Sequence, residues 1–213
     1  MAEQPQDWWP PGVTHWEGPP LQAWDAWSPV EAGDQLSRSG AAWCVVGGWA
    51  IDLAADRTTR VHEDLEVAVP LDDFGAIRAV LSDFELYRVG DGQVRRLRED
   101  FEPSTVRHQN WVLDPVAQRW RLAVMTEPGD RETWVFRRDP RITAPRATMV
   151  GVNAQGIPYL RPHGVLLYKA KNIRDKDEHD RRLASTLMTP AERRWLVSAL
   201  GVVHPGHAWL GEL

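Results

Sequence analysis

Two acidic residues one position apart, Asp64 and Glu66, follow a pair of glycines, Gly47 and Gly48. Alternate side chains of a β-strand point to the same side, so a strand here would hold both carboxylates on one face. Such carboxylates repel each other unless a cation lies between them, and hard oxygen ligands favour magnesium. The acidic pair therefore predicts a magnesium site, with a solvated strand face as the alternative.

The glycine pair stands where an apolar stretch, AAWCVV, gives way to a predicted helix, WAIDLAAD. Glycine allows a ligand to approach the backbone closely, and the first turn of a helix offers N–H groups and a partial positive charge to a phosphate. Gly-Gly turns are common, so this signal is weak alone. Combined with the acidic pair, it predicts a site for a nucleoside triphosphate and its metal.

The elements around these residues are predicted to form an α+β fold with a mixed sheet. A first helix is expected in SPVEAGDQLSRS, where Ser28 is the N-cap, Pro29 the first helical residue and Glu31 completes a capping box. The strand that carries the acids ends at Pro70. Further helix and strand candidates follow in chain order, in LDDFGAIRAVLSD, ELYRV, QVRRL, QNWVLD, RWRLAVM and TWVFRR.

From about residue 157 the pattern becomes helical, in RPHGVLLYKAKNI, KDEHDRRLASTLM and TPAERRWLVSAL. The last helix has Thr189 and Glu192 as a capping box and is expected to end at Gly201. We therefore predict an extended N-terminal arm at 1–23, a core at 24–156 and a C-terminal helical subdomain at 157–213. The arm carries Trp8, Trp9 and Trp16 and could be an intramolecular strap or a contact in a homodimer.

The composition excludes several other classes. Lys and Arg total 25 against 30 Asp and Glu, a net charge of −5, which argues against a general nucleic-acid binder because such binding depends on phosphate neutralisation. Cys44 is the only cysteine, so no intrachain disulfide can form. Neither a signal peptide nor an apolar run long enough to span a bilayer is visible, and we expect a cytoplasmic protein.

The order of these motifs resembles the nucleotidyltransferases of the polymerase-β-like superfamily, and most closely the lincosamide and aminoglycoside-2″ nucleotidyltransferases. The resemblance covers about residue 24 to the C-terminus. The blocks that carry it are AWCVVGGWAIDL, TRVHEDLEVAVP, EPGDRETWVFRRDPRI, GIPYLRPHGVLLYKAK and RDKDEHD. It implies a magnesium-dependent enzyme that moves a nucleoside monophosphate, AMP from ATP being the expected case, to a small-molecule hydroxyl.

The resemblance also implies roles for individual residues. Gly47 and Gly48 would hold the nucleotide phosphates, and Asp64 and Glu66 would bind the magnesium ions that bridge the triphosphate. Metal ions neutralise the charge that builds on the α-phosphoryl group and the pyrophosphate leaving group. The acceptor hydroxyl would then attack the α-phosphorus in line.

Four basic or imidazole side chains complete the expected phosphate site. Arg60 and His62 precede Asp64 by four and two positions, and His62 would touch phosphate or orient Asp64, with a purely structural histidine as the alternative. The resemblance favours one of Lys169 and Lys171 as a phosphate contact, and at most one of them can face a cleft because residues two apart on a helix cannot share a face. Lys169 is preferred, although Asp177 and Asp180 could pair with these lysines locally.

The pattern departs from the superfamily at the third carboxylate, which binds metal and serves as base for the acceptor. The aligned position is Ala123, and no acid lies between Asp114 and Glu127. Glu127, or less readily Asp130, could replace it, or the acceptor could supply its own base. Loss of a general base typically lowers the rate about 10²–10⁴-fold.

The leading hypothesis is thus an enzyme acting on an aminoglycoside- or lincosamide-like small molecule. Two alternatives stay open. A toxin-type relative acting on tRNA or protein would need a basic surface, for which Arg95, Arg96, Arg98, Arg137 and Arg138 are the candidates. A nucleotide-binding protein with weak or no transfer activity would follow from Ala123, and Ala123→Asp should then create activity.

Overall fold

The computed structural model describes residues 10–98 and 101–213, so Trp8 and Trp9 lie outside the described part. The strands are β1 (His15–Trp16), β2 (Cys44–Val45), β3 (Glu66–Pro70), β4 (Glu85–Gly90), β5 (Gln93–Arg96), β6 (Gln109–Asp114), β7 (Arg119–Glu127), β8 (Thr133–Val135), β9 (Thr143–Pro145), β10 (Val150–Val152) and β11 (Pro158–Leu160). The α-helices are α1 (Pro29–Leu36), α2 (Gly47–Ala54), α3 (Phe74–Val80), α4 (Arg146–Met149), α5 (Pro162–Lys169), α6 (Asp175–Leu187) and α7 (Pro190–Val203).

The chain divides into two compact units. The first comprises the residues up to Ala42 together with Glu63–Glu127, and the second comprises Trp43–His62 together with Pro128–Leu213. Each unit therefore contains two separate segments of the chain. The boundaries that the sequence predicts at residues 23 and 156 stay predictions.

Among the described residues, the first unit is built on strands in the order β1-β5-β4-β6-β7-β3. The pairs β5–β4, β4–β6 and β6–β7 are antiparallel, whereas β1 runs parallel to β5 and β3 runs parallel to β7. The pairing of β6 with β7 skips Arg121, because Val112 pairs with Leu122 and Leu113 with Trp120. This β-bulge brings Trp120 to the same sheet face as Ala123.

An aromatic cluster covers that face of the sheet in the first unit. Trp111 contacts Trp16, Trp24 and Trp120 with ring centroids 5.9, 5.4 and 5.2 Å apart. The N-terminal segment continues along the edge of β7, since the backbone N–H of Trp120 donates to Ala23 and that of Asp25 donates to Trp120. Trp16, the described tryptophan of the predicted arm, packs within this unit, as an intramolecular strap would.

The second unit contains strands β2-β11-β10, the hairpin β8-β9, and the C-terminal helices. Helix α5 contacts α2, α6 and α7. The capping boxes predicted at Ser28 and Thr189 are both present, so the starts of α1 and α7 follow directly from the sequence. Helix α7 does not end at Gly201: it runs on to Val203, and His204 donates its backbone N–H to Leu200. Gly201 is thus an interior helical residue rather than a cap.

The predicted α+β class with a mixed sheet and C-terminal helices is confirmed. Two strands are shorter than predicted, since β2 has only two residues and β8 ends at Val135. Strands β1, β9, β10 and β11 escaped the sequence analysis because two or three residues are too few for a periodic pattern. In the part of the chain that the structure describes, no helix is long and apolar enough to cross a membrane.

Candidate functional site

The two acidic residues lie at the start of β3 in the first unit, but only Glu66 belongs to the strand. Asp64 precedes it by two residues and is exposed, so the prediction that one strand carries both acids is wrong in this detail. The chain is nevertheless tied to β7 before the strand begins, because Ala123 donates its backbone N–H to Leu65 at 2.8 Å. Leu65 is fully buried and Glu66 half-buried, the alternation expected when two carboxylates share one side.

Ala123 lies opposite Glu66 in the parallel pairing of β3 with β7. Its side chain is only 1% exposed and belongs to the cluster formed with Trp111 and Trp120. Trp111 is also its register partner on β6. The position expected to hold the third carboxylate is therefore buried against aromatic side chains, an environment that strongly disfavours an ionised acid.

Glu127 lies four residues further along β7, opposite Pro70 and 4% exposed. Four residues of strand span about 13 Å, so Glu127 is remote from the register position of Glu66. The register therefore disfavours Glu127 as a replacement for the third carboxylate. Asp130, in the second unit, accepts hydrogen bonds from the backbone N–H groups of Glu132 and Thr133 and shapes a turn.

The glycine pair begins helix α2 in the second unit. Gly47 has a φ of 67°, a left-handed conformation that glycine adopts readily. No side chain caps the start of this helix among the described residues, because its N-cap is Val46, which has no polar side-chain atom. The first N–H groups of α2 are thus left to bind something other than a capping side chain.

Arg60 lies directly against the second glycine. A Cβ added at Gly48 would overlap Nη2 of the Arg60 guanidinium, so only glycine leaves room for it. The guanidinium is held by a bidentate pair with Asp180, Nε to Oδ1 at 3.1 Å and Nη2 to Oδ2 at 3.2 Å. Asp180 is 1% exposed and the Arg60 side chain 19%, so the pair is mostly withdrawn from water.

His62 takes a structural position in the same unit. Its Nε2 lies 2.7 Å from Oδ2 of Asp52, and its ring stacks on Trp49 with centroids 4.3 Å apart. Asp52 also accepts hydrogen bonds from the backbone N–H and hydroxyl of Thr59. Burial lowers the pKa of His62 despite the nearby Asp52 carboxylate. These contacts favour the structural alternative for His62 and agree with Asp52 as a partner of the segment after α2.

The two lysines differ sharply in their surroundings. Lys169 is the last residue of α5, and its Nζ lies 2.5 Å from Asp177 and 2.9 Å from Asp180. Asp177 and Asp180 are almost fully buried, so Lys169 is committed to two carboxylates. Burial alone would raise the pKa of Asp177, but hydrogen bonds from Arg174 and Lys169 lower it to about 2. Lys171 lies beyond the helix and is exposed, so the contacts favour Lys171 over Lys169 as a phosphate ligand.

The acidic residues fit a magnesium ion in one particular way. Across residues 10–98 and 101–213, no group of three or more His, Cys, Asp or Glu residues could hold a metal by itself. Magnesium commonly keeps several waters and is bound by one or two carboxylates together with substrate phosphates. Asp64 and Glu66 offer that number of carboxylates, so the chain suits an ion that arrives with a triphosphate.

A sequence profile of the family described as aminoglycoside-2″-adenylyltransferase matches residues 30–182. Two crystal structures share the fold. One is ANT(2″)-Ia in complex with adenylyl-2″-tobramycin, at 18% identity and a TM-score of 0.50, with 82% of this chain and 94% of that chain covered. The other is the lincosamide antibiotic adenylyltransferase LnuA, lincomycin-bound, at 11% identity and a TM-score of 0.51, with 75% and 95% covered. No curated protein sequence matches the chain.

Proposed function

The chain belongs to the aminoglycoside-2″-adenylyltransferase family and is a nucleotidyltransferase, and from this we infer that it modifies a small antibiotic-like molecule. We propose that it transfers AMP from ATP to a hydroxyl group of an aminoglycoside- or lincosamide-like acceptor. The acceptor oxygen forms the new bond to the α-phosphorus, and the bond from the α-phosphorus to the bridging oxygen breaks. Pyrophosphate leaves with that electron pair.

The observation that carries this proposal is the position of Arg60. Its guanidinium lies against Gly48 at the start of α2 and is fixed there by Asp180, which is 1% exposed. Backbone N–H groups at a helix start bind phosphate oxygens. Asp180 takes Nε and one N–H of Nη2, and Nη1 also donates to the Val61 carbonyl, so the N–H groups that remain on Nη1 and Nη2 are the ones that Arg60 offers to phosphate. We assign Gly47, Gly48 and Arg60 to the nucleotide phosphates, and we assign His62 to holding the segment that carries Arg60.

Asp64 and Glu66 are proposed to bind magnesium together with the triphosphate. When bound, the ion neutralises charge on the α-phosphoryl group and on the leaving pyrophosphate. The chain's own contribution is to present two carboxylates from one short extended segment, anchored to β7 through the hydrogen bond from Ala123 to Leu65. That anchoring fixes where the carboxylates stand before the nucleotide arrives.

Ala123 cannot accept the proton that the acceptor hydroxyl loses. We propose that an amine of the acceptor itself, of the kind that aminoglycosides carry, accepts this proton. The second candidate function is nucleotide binding with weak or no transfer, and the packing of Ala123 among tryptophans favours it. Removal of a general base costs about 10²–10⁴-fold in rate, so the two candidates differ in turnover rather than in nucleotide binding.

Calorimetric titration of ATP with magnesium tests the proposal. The native chain should bind ATP in a magnesium-dependent manner, and Asp64→Asn should lose that dependence. Asp72→Asn is the matched control, because Asp72 is an exposed carboxylate in the same unit. Absence of magnesium-dependent binding in the native chain, or equal binding by Asp64→Asn, would refute the assignment. Pyrophosphate release with aminoglycosides and lincosamides as acceptors then separates transfer from binding alone.

A further inference from the structure

Cationic side chains gather at the C-terminal end of α5 in the second unit. Arg137 and Arg138 follow β8, Lys171 comes two residues after the last residue of α5, and His204 caps α7. Arg138 donates from Nη1 to the carbonyl of Tyr168 at 2.5 Å and lies over its ring, with Cζ 5.3 Å from the centroid. The backbone N–H of Arg137 donates to the Tyr168 hydroxyl at 3.5 Å.

Within residues 10–98 and 101–213, no carboxylate lies at ion-pair distance from Arg137, Arg138 or Lys171. Other cations of the same unit are paired, such as Arg141 with Asp139 and Lys169 with Asp177. The three charges at this end of α5 are therefore not balanced by carboxylates of the described residues.

The charges also act on one another. Burial lowers the pKa of Arg138, and the neighbouring Arg137 lowers it further. Burial lowers the pKa of His204, and the charges of His207, Arg138 and Lys171 add to this effect. The contacts place these groups around one end of α5: Arg137 and Arg138 contact Tyr168, and His207, whose ring lies 5.9 Å from that of His204, contacts the carbonyl of Ala170 next to Lys171. We call Arg137, Arg138, Lys171 and His204 the cationic cluster.

The end of a helix explains only part of this arrangement. The C-terminus of a helix carries roughly half a negative charge, which attracts one cation in its last turn. Arg138 and His207 already interact with this partial negative charge, since they contact the carbonyls of Tyr168 and Ala170. Half a charge does not balance the permanent charges of Arg137, Arg138 and Lys171.

We propose that Arg137, Arg138, Lys171 and His204 form a binding site for a phosphate-bearing anion. Guanidinium groups bind phosphate oxygens in a fixed fork geometry, and a lysine adds a compact charge at the rim. Two kinds of ligand could supply this phosphate group. One is the nucleotide through its terminal phosphates, in which case the inference rests on the proposed function, and the other is a separate phosphate-bearing ligand.

Calorimetric titration with pyrophosphate tests this site, because pyrophosphate has linked phosphate groups like those of a nucleotide but no nucleoside. The native chain should bind it, and the double variant Arg137→Gln, Lys171→Gln should bind at least about tenfold more weakly, as expected for the loss of two charge-assisted contacts. Arg141→Gln is the matched control, because Arg141 is a nearby exposed arginine already paired with Asp139. Circular dichroism of each variant confirms that it is folded.

Failure of pyrophosphate to bind the native chain would overturn the inference, as would equal binding by the double variant and the control. A competition with magnesium-ATP identifies the source: displacement of pyrophosphate points to the nucleotide's own terminal phosphates, and simultaneous binding points to a separate ligand. The two proposals fail separately. If ATP binding depends on Asp64 but the double variant binds pyrophosphate as well as the native chain does, only the cationic site is refuted. If the double variant binds pyrophosphate more weakly but ATP binding does not depend on Asp64, only the proposed function is refuted.

Discussion

Glu66 and Ala123 are register partners on neighbouring parallel strands, and the side chain opposite the second acidic residue is therefore a methyl group. That methyl group is 1% exposed and belongs to a cluster with Trp111 and Trp120. At position 123, where a third carboxylate was expected from the sequence, the side chain packs among aromatic rings, and an ionised acid there would be separated from water.

Ala123→Asp should therefore destabilise the protein rather than create activity. A buried carboxylate without a partner typically costs several kcal/mol, so we expect the free energy of unfolding to fall by about 3 kcal/mol or more. Denaturant unfolding measures this, and Ala123→Asn, which has the same shape without the charge, should cost less. A faster transfer rate in a stable Ala123→Asp protein would show that the aromatic cluster accommodates the acid.

Gly48→Ala should displace Arg60 and weaken nucleotide binding. The added methyl group overlaps the guanidinium, which can move only by breaking its bidentate pair with Asp180. We expect the affinity for magnesium-ATP to fall about tenfold or more, the loss of roughly one charge-assisted contact.

Gly75→Ala serves as the control for this substitution. Gly75 lies in α3 with open space where its Cβ would stand, so alanine should raise the free energy of unfolding by about 0.5–1 kcal/mol through helix propensity. Unchanged ATP affinity in Gly48→Ala would contradict the role given to Arg60.

Lys169→Met should be strongly destabilising. It would leave Asp177 and Asp180, at 0% and 1% exposure, without the cation that they share. Breaking a buried ion pair by removing one partner costs about 3–5 kcal/mol. Lys176→Met removes an exposed lysine from α6 and should change the free energy of unfolding by less than about 0.5 kcal/mol. Equal effects in urea unfolding would show that Lys169 is not part of a buried charge network.

Acid should destabilise the second unit through His163. Burial lowers the pKa of this imidazole from 6.5 to about 4, and its side chain lies 3.7 Å from Glu192. The unfolded chain takes up the proton near pH 6.5 and the folded chain only near pH 4. The free energy of unfolding therefore falls by about 3 kcal/mol as the pH drops from 6.5 to 4. Above pH 6.5 His163 is neutral in both states, so none of this stability is lost.

His163→Met removes this proton uptake while keeping most of the side-chain volume. Denaturant unfolding at pH 7, 5.5 and 4.5 should show a shallower decline for the variant than for the native chain. Parallel declines would mean that other groups carry the acid sensitivity.

The sequence was informative where local rules decide the structure. Ser28 and Thr189 mark helix starts because a cap and its partner lie within four residues of each other. Asp64, by contrast, lies outside its predicted strand, since the limit of a strand depends on which neighbour it pairs with. The pair of Arg60 with Asp180 joins residues 120 positions apart, a distance over which sequence pattern carries no information.

The hydrogen bond that the Trp120 indole donates to the carbonyl of Pro20 has a consequence for the order of folding during synthesis. It spans 100 residues, and Asp25 contacts Arg121 across 96. Ribosomes add about 5–20 residues per second, so Trp16 and Trp24 emerge roughly 5–20 s before the strand that covers them exists. During that interval they are exposed to chaperones and to other nascent chains. The segment that carries Trp16 and Trp24 is thus among the last parts of its unit to fold, although it is synthesised before the strands on which it packs.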